Sequence, residues 1–357
     1  MNKPDHLVQM LGIEYPIIQG PMLGVTSPDM VAAIANAGGL GSLPVGGLSP
    51  HKTASLIRET KSKTAQPFAV NLFAHELTEV DSDSFEKMQD FLERIQAQHR
   101  IPFERKKITD LKFYHHTDQI DVLLAEHIPV VSFTFGVIQP AAIEQLKRNG
   151  SVLIGTATSV KEARLLEEAG IDMIVAQGYE AGGHRGTFLD DEGLPQVGLM
   201  SLLLLVVDAV SIPVLAAGGI ADERAVRAAF VLGAWGVQIG SLFIACHESL
   251  ASEGYKEAVL ASQETSTALT QAFSGRWARG IKNSFMRQIE ESGLKIPYYT
   301  FQNSLTAPLR AYGQQNNVTD LVSMWAGQSA SYAQRGSATE IFKKLVEKLQ
   351  HHGQLDF

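Results

Sequence analysis

Eight short apolar runs punctuate the chain, at 15–19, 39–44, 68–73, 130–135, 152–156, 173–177, 214–217 and 236–239. Glycine falls mostly just after these runs, where a buried strand hands over to a tight turn or approaches a ligand. Between them the apolar positions recur with a period of about 3.6 residues, which predicts helices over 28–37, 50–63, 140–149, 160–169, 199–210 and 223–232. Ser27, Ser49, Ser159 and Asp222 stand where helix N-caps belong, and Gly38, Gly150, Gly170 and Gly233 stand where helices stop. This alternation predicts an α/β fold, a parallel TIM (β/α)8 barrel over residues 1–246, ahead of a doubly wound open sheet.

Two segments break the unit length. Residues 74–127 are too long for one crossover and contain a charged, helical stretch at 85–98, so they are expected to form an insertion packed on the barrel. Residues 247–331 turn polar and helical and are expected to form a second, smaller, mostly helical domain. In 332–357 a helix over 337–351 places Ile341, Leu345 and Leu349 on one face and is expected to return to the barrel wall.

Composition narrows the function. With 45% hydrophobic and 19% charged residues the chain can bury a large core, which disfavours disorder and a coiled coil. The formal charge of -8 comes without a Lys/Arg-rich run, so nucleic acid is not an expected partner. The single cysteine, Cys246, excludes an internal disulfide and reads as a small buried hydrophobe, and no metal site is expected. The opening residues lack the apolar core of a secretion signal, and the greasiest window, 198–220, is broken by Asp208 and Pro213. A cytoplasmic protein with no membrane span is the expectation.

In a barrel of this kind the chemistry sits where the strands end. The last two strands end in Gly218-Gly219 and in Gln238-Ile239-Gly240-Ser241, loops whose backbone N–H groups can close around a phosphate. No Gly-x-Gly-x-x-Gly follows the first strand and no P-loop occurs, so a phosphate-tailed cofactor is expected rather than a dinucleotide. Gln19-Gly20-Pro21-Met22, Asn71 and Gln177 follow the first, third and sixth strands, and such uncharged amides suit the donor–acceptor edge of a flavin ring. After the sixth strand comes Ala181-Gly182-Gly183-His184-Arg185-Gly186. A histidine shown at the rim among glycines has little to pack against and suits a general base or a hydrogen-bond donor to an anion. Arg185 is open to two readings, anion steering or an exposed loop residue. Phe73, Phe133, Phe135, Tyr298 and Tyr299 are candidate substrate walls, of which Phe133, Tyr298 and Tyr299 are taken as substrate-binding, and Trp277 and Arg279 could reach the cofactor from the second domain.

These residues resemble the nitronate monooxygenases, formerly 2-nitropropane dioxygenases. The likeness lies in 16–22, 71–73, 131–136, 177–186, 216–220 and 238–241, and continues in 297–298, 302–303, 305–310 and 325–328, which look like motifs of the bacterial class I type. It runs over nearly the whole chain. The resemblance implies FMN held by Asn71, Gln177, Gly182, Gly219 and Gln238 to Ser241, His184 as catalytic residue, and alkyl nitronate plus O2 as substrates, in a monomer or homodimer. Many members carry a histidine between the two phenylalanines of the fourth-strand motif; here it is Thr134, which puts rate or substrate preference in doubt. Two other readings are an NADH-dependent enoyl-acyl-carrier-protein reductase on the same flavin barrel, and a flavin-binding protein without turnover. The 74–127 insertion and the 305–310 motif favour the oxygen-using enzyme.

Overall fold

The computed structural model describes residues 3–76, 79, 81–189 and 193–351, so residues 77, 78 and 80 of the expected insertion and 352–357 of the closing segment lie outside the described residues. Eight parallel strands form the barrel: β1 (Ile17–Gln19), β2 (Ser42–Pro44), β3 (Ala69–Phe73), β4 (Val130–Thr134), β5 (Val152–Ala157), β6 (Met173–Gln177), β8 (Val214–Ala217) and β9 (Gly236–Ile239). Their order around the wall is β1-β9-β8-β6-β5-β4-β3-β2. A parallel bridge from Ile18 to Leu40 closes the ring, with the Leu40 N–H donating to Ile17 O at 3.0 Å and the Gln19 N–H to Leu40 O at 2.9 Å. The TIM-barrel expectation is met, with strand ends within a few residues of those expected.

Local chemistry explains the crossover helices. Ser27 Oγ accepts from Met30 N, Ser49 Oγ from Lys52 N, Ser159 Oγ from Glu162 N, and Asp222 from the N–H groups of Arg224 and Ala225. Each bond satisfies a donor that the first helical turn leaves without a partner. The apolar faces of these helices pack on the outside of the sheet. Inside the barrel, Ile18, Leu40, Ala69, Val130, Ile154, Met173 and Leu215 form a separate cluster with Leu7 and Leu11. The latter two come from a helix, Lys3–Leu11, that the apolar pattern of the N-terminus did not single out.

One part of the insertion sits as expected, helix Thr117–Ala125 burying Ile120 and Leu123 in the outer barrel core, and the other part does not. Its helix Ser82–Gln98 buries Phe85, Met88, Phe91, Leu92 and Ile95 against Phe273, Phe285, Phe301, Leu305 and Leu309 of the later segment rather than against the barrel. Its apolar stripe had two possible partners, and only the tertiary structure chooses between them. Alongside its helices Glu253–Leu260, Ser284–Ser292 and Phe301–Gln315, the later segment carries β10 (Thr267–Thr270) and β11 (Ala278–Ile281). These join the two-residue β7 (Gly183–His184) in a small antiparallel sheet. Helix Phe301–Gln315 contains Pro308, which has no N–H for the Ser304 carbonyl. Lys106 of the insertion supplies the missing donor, its Nζ lying 2.7 Å from Ser304 O. The closing helix Ala338–His351 returns to the barrel wall, burying Ile341, Phe342, Leu345 and Leu349 in the outer core.

Candidate active site

A cavity of about 610 Å³ opens at the C-terminal ends of the strands, under a roof made by β7 and helix Phe301–Gln315. Alternation along each strand decides which side chains reach it. On β4, Ser132 and Thr134 face the cavity, while Phe133 points outward, fully buried among the crossover helices. Phe133 is therefore no part of the substrate wall, contrary to the expectation from its place in the motif. Tyr299 lines the cavity, but Tyr298 next to it is 60% exposed and points away. Phe73 and Phe135 line it as a tilted pair with ring centroids 4.8 Å apart.

The loops after β8 and β9 form one lobe. Gly218 and Gly219 take φ values of +108° and +71°, which turn the backbone sharply there. Gly240 and Ser241 complete this lobe, and the Gln238 side chain lines the cavity beside it. The Gln238 amide makes no hydrogen bond to any described residue. Across it, Ser329 Oγ donates to Gly219 O at 2.9 Å and the Gly327 N–H to Ser241 Oγ at 2.9 Å, so the chain around 327–329 seals the lobe. Gly182 lies under the same segment; a Cβ there would come within 2.4 Å of Gly327 N and 2.5 Å of Ala326 C.

The amides divide into two kinds. Asn71 lines the cavity, its Nδ2 donating to Ser132 Oγ at 3.0 Å and its oxygen left free. Gln19 does not reach the cavity: it is fully buried, with Nε2 donating to Thr26 Oγ1 and Oε1 accepting from Ser42 N. Its role is to tie the end of β1 to β2, and Ile239 is likewise core. Gly20, Pro21 and Met22, one step beyond Gln19, do line the cavity. Gln177 lines it too, while its Nε2 donates to His184 O at 3.0 Å and its Oε1 accepts from Gly186 N at 2.8 Å, leaving one N–H for the cavity.

His184 sits at the cavity wall on β7, held by pairing with Ala278 of β11 and by the bond from Arg185 N to Trp277 O at 2.8 Å. Contrary to the expectation, it has much to pack against. The rings of Phe135, Tyr299 and Trp325 lie at centroid distances of 5.7, 5.9 and 5.4 Å. Its Nε2 is 2.8 Å from Ser274 Oγ. Burial, reinforced by the nearby Arg276 and Arg310 charges, pushes the imidazole down to about 3, so it is neutral at pH 7. Burial also pushes the Tyr299 phenol up, keeping it protonated.

Neither reading of Arg185 stands, since it is wholly buried and its guanidinium donates to the carbonyls of Gly178 (2.6 Å) and Gln177 (3.1 Å). It clamps β7 onto the end of β6. Behind it the buried Glu162 carboxylate accepts from Thr187 Oγ1 and from the N–H groups of Phe188 and Leu189, fixing the chain just beyond His184. Trp277 and Arg279 lie off the cavity; Arg279 donates to Tyr179 O and Thr267 Oγ1 and stacks over the Tyr179 ring at 4.8 Å. Three residues at or beside the site received no role from the sequence. Ser274 holds His184, Trp325 walls it, and Arg310 lines the cavity from helix Phe301–Gln315. Arg310 and Trp325 fall in the 305–310 and 325–328 motifs and Ser274 lies just before Trp277, yet nothing in the sequence says which of their side chains the fold brings beside His184.

The model of the nitronate monooxygenase family matches residues 5–348. The chain belongs to that family. A Staphylococcus aureus protein described as a probable nitronate monooxygenase is 42% identical over 351 residues, covering 98% of each chain. Among solved structures, nitroalkane oxidase from Streptomyces ansochromogenes superposes with a TM-score of 0.88 at 34% identity, over 97% of this chain and 98% of its own. FabK from Thermotoga maritima follows at a TM-score of 0.76 and 29% identity, over 97% of this chain and 96% of its own. As a nitronate monooxygenase family member the chain is an oxidoreductase. No helix among its described residues is long and apolar enough to cross a membrane.

Proposed function

We propose that this family member oxidises alkyl nitronates, propionate 3-nitronate among them, with O2 to a carbonyl compound and nitrite, using FMN held at the barrel mouth. The observation that carries the reading is His184, a neutral imidazole fixed by Ser274 in an aromatic wall of the cavity. The donor set fits a flavin mononucleotide. Gly218, Gly219, Gly240 and Ser241 offer an uncharged backbone cradle for a phosphate, while Asn71 and Gln238 keep free amide groups for the ring edge. Gly20 to Met22 and Gly182 with Gly183 would flank the ring. When bound, the flavin supplies the electron transfer from nitronate to O2.

The chain's own part is positioning and exclusion. His184 donates a hydrogen bond from Nδ1 to the nitro oxygen of the nitronate, with the Ser274 hydroxyl donating to Nε2 to hold that tautomer. For a neutral nitroalkane the unprotonated ring would instead accept the α-proton. Phe73, Phe135, Tyr299 and Trp325 keep water from the reacting carbon.

Purified protein is expected to be yellow with the absorption bands of oxidised flavin, and to release nitrite from propionate 3-nitronate while consuming O2. Colourless folded protein that does not take up FMN would refute the cofactor. Rapid bleaching by NADH without O2, and no nitrite, would favour the reductase reading instead.

A further inference from the structure

Phe135, just beyond β4, has a left-handed backbone with φ of +77°. A bulky side chain is strained there and stays only where its surroundings hold it. Its ring is the hub of the aromatic wall. Between centroids it meets Phe73 at 4.8 Å, Tyr299 at 5.9 Å and His184 at 5.7 Å, the last at an interplanar angle of 86°. The Arg276 guanidinium lies over the same ring, 4.2 Å from its centroid, although Arg276 is not part of the cavity lining.

Arg276 is also tied to the chain on both sides of the imidazole. Its N–H donates at 3.3 Å to Ser274 Oγ, the hydroxyl that holds His184 Nε2. Its Nη2 donates to the carbonyl of Thr187, three residues beyond His184, and the Thr187 hydroxyl is fixed in turn by Glu162. We infer that Arg276 is a positioning residue for His184, acting through Phe135, whose strained ring its guanidinium clamps beside the imidazole. A cation over an aromatic face is attracted to it in a way that an apolar side chain of similar length is not. The same cation, with Arg310, adds to the burial that keeps the imidazole unprotonated. The inference rests on the proposed nitronate reading and goes beyond it by giving a part in the reaction to a residue outside the cavity lining.

The test is a double-mutant cycle on FMN-loaded protein, comparing the parent, Arg276→Met, Phe135→Leu and the combined form on ethyl nitronate. Arg276→Met should lose on the order of tenfold in kcat with KM little changed, since a displaced catalytic group costs turnover rather than binding. In the Phe135→Leu background the same change should cost less than about twofold, because the ring it acted through is gone. Arg276→Lys, which keeps a cation for the ring, should retain more activity than Arg276→Met. Equal fold losses in both backgrounds would overturn the inference. If Arg276→Met does not fold by circular dichroism, Arg276→Lys takes its place in the cycle under the same criterion. A second readout needs no turnover. With carbon-13-labelled histidine, the His184 ring resonance should shift or broaden on Arg276→Met in the parent and stay in place on the same change in the Phe135→Leu background. A His184 signal untouched by Arg276→Met would sink the assignment. Should the unaltered protein release no nitrite, the nitronate reading fails, while the resonance comparison still judges Arg276.

Discussion

His184 Nε2 and Ser274 Oγ lie 2.8 Å apart, although 90 residues separate them in sequence. The same hydroxyl is 3.1 Å from the Arg276 carbonyl, so its single proton chooses between two acceptors. Donated to His184, it leaves the imidazole proton on Nδ1; donated to Arg276, it makes Nδ1 the base. Ser274→Ala removes the choice and the anchor together. The expected result is a fall in nitrite release of up to about 100-fold with flavin content preserved, since misplacement of a catalytic group by a fraction of an ångström has that scale of effect. Ser274→Thr, which keeps the hydroxyl, should retain more activity. Unchanged turnover in the Ala form would remove Ser274 from the site.

The barrel could be read in advance because its signals are local. Ser27, Ser49, Ser159 and Asp222 cap helices from positions next to them, and each crossover returns to a neighbouring strand. The cavity floor followed, since Asn71, Gln177 and Gln238 are placed by strand ends. Phe133 shares a motif with cavity residues, yet alternation turns every second side chain of β4 outward and carries its ring into the outer core. Gln19 and Arg185 mislead for another reason: polar residues near a site also hold its loops together, and only hydrogen-bond partners separate the two roles. The roof was unreadable, because the contacts that bring Ser274, Tyr299 and Arg310 over β7 are long-range.

Lys106 and Pro308 form a testable pair. The proline withholds a donor from the Ser304 carbonyl, and Lys106 Nζ replaces it at 2.7 Å. Lys106→Met should therefore destabilise the protein by about 1–3 kcal/mol, the cost of a carbonyl left without its partner. In a Pro308→Ala background the helix regains its own N–H, and the same change should cost less. Urea unfolding of the four forms measures the coupling; strict additivity would show that the two residues act independently.

The insertion carries three histidines close to one another, of which His75 packs behind the cavity wall. His75 follows β3 and meets Tyr299 edge-on with ring centroids 4.8 Å apart, while His115 and His116 precede helix Thr117–Ala125 with their ring centroids 3.9 Å apart. Burial pushes His75 and His116 down to about 4, and His75 is lowered further by Arg276, His115 and His116. Asp118 acts in the opposite direction on His116, and Glu76 lies 3.7 Å from His115. Folded values below the free value of 6.5 mean that the unfolded chain binds protons first as pH falls. Stability is thus full above about pH 6.5 and is lost progressively towards pH 4, by up to about 1.4 kcal/mol per histidine for each pH unit crossed. Thermal melting between pH 7 and 4.5 should show this slope, and His116→Leu should flatten it. A His116→Leu slope equal to that of the parent would place the acid sensitivity elsewhere.

Gly182 is the tightest backbone contact in the candidate flavin site. Its missing side chain lets the 326–327 peptide approach to where a Cβ would meet Gly327 N at 2.4 Å and Ala326 C at 2.5 Å. Both are backbone atoms, so neither can swing aside as a flexible side chain would. In Gly182→Ala the 325–329 segment must lift, and with it the bonds from Gly327 N to Ser241 Oγ and from Ser329 Oγ to Gly219 O that close the cradle. The expected outcome is loss of cofactor before loss of fold: flavin absorbance per protein falls several-fold on dilution while circular dichroism stays that of the parent. Overpacking of this kind costs about 1–3 kcal/mol, within the margin of a barrel of this size. Gly183, where an added Cβ would meet nothing within 4 Å, is the control, although its φ of +74° strains any side chain. If the two alanine forms lose flavin equally, backbone strain rather than the seal made by the 326–329 segment governs retention.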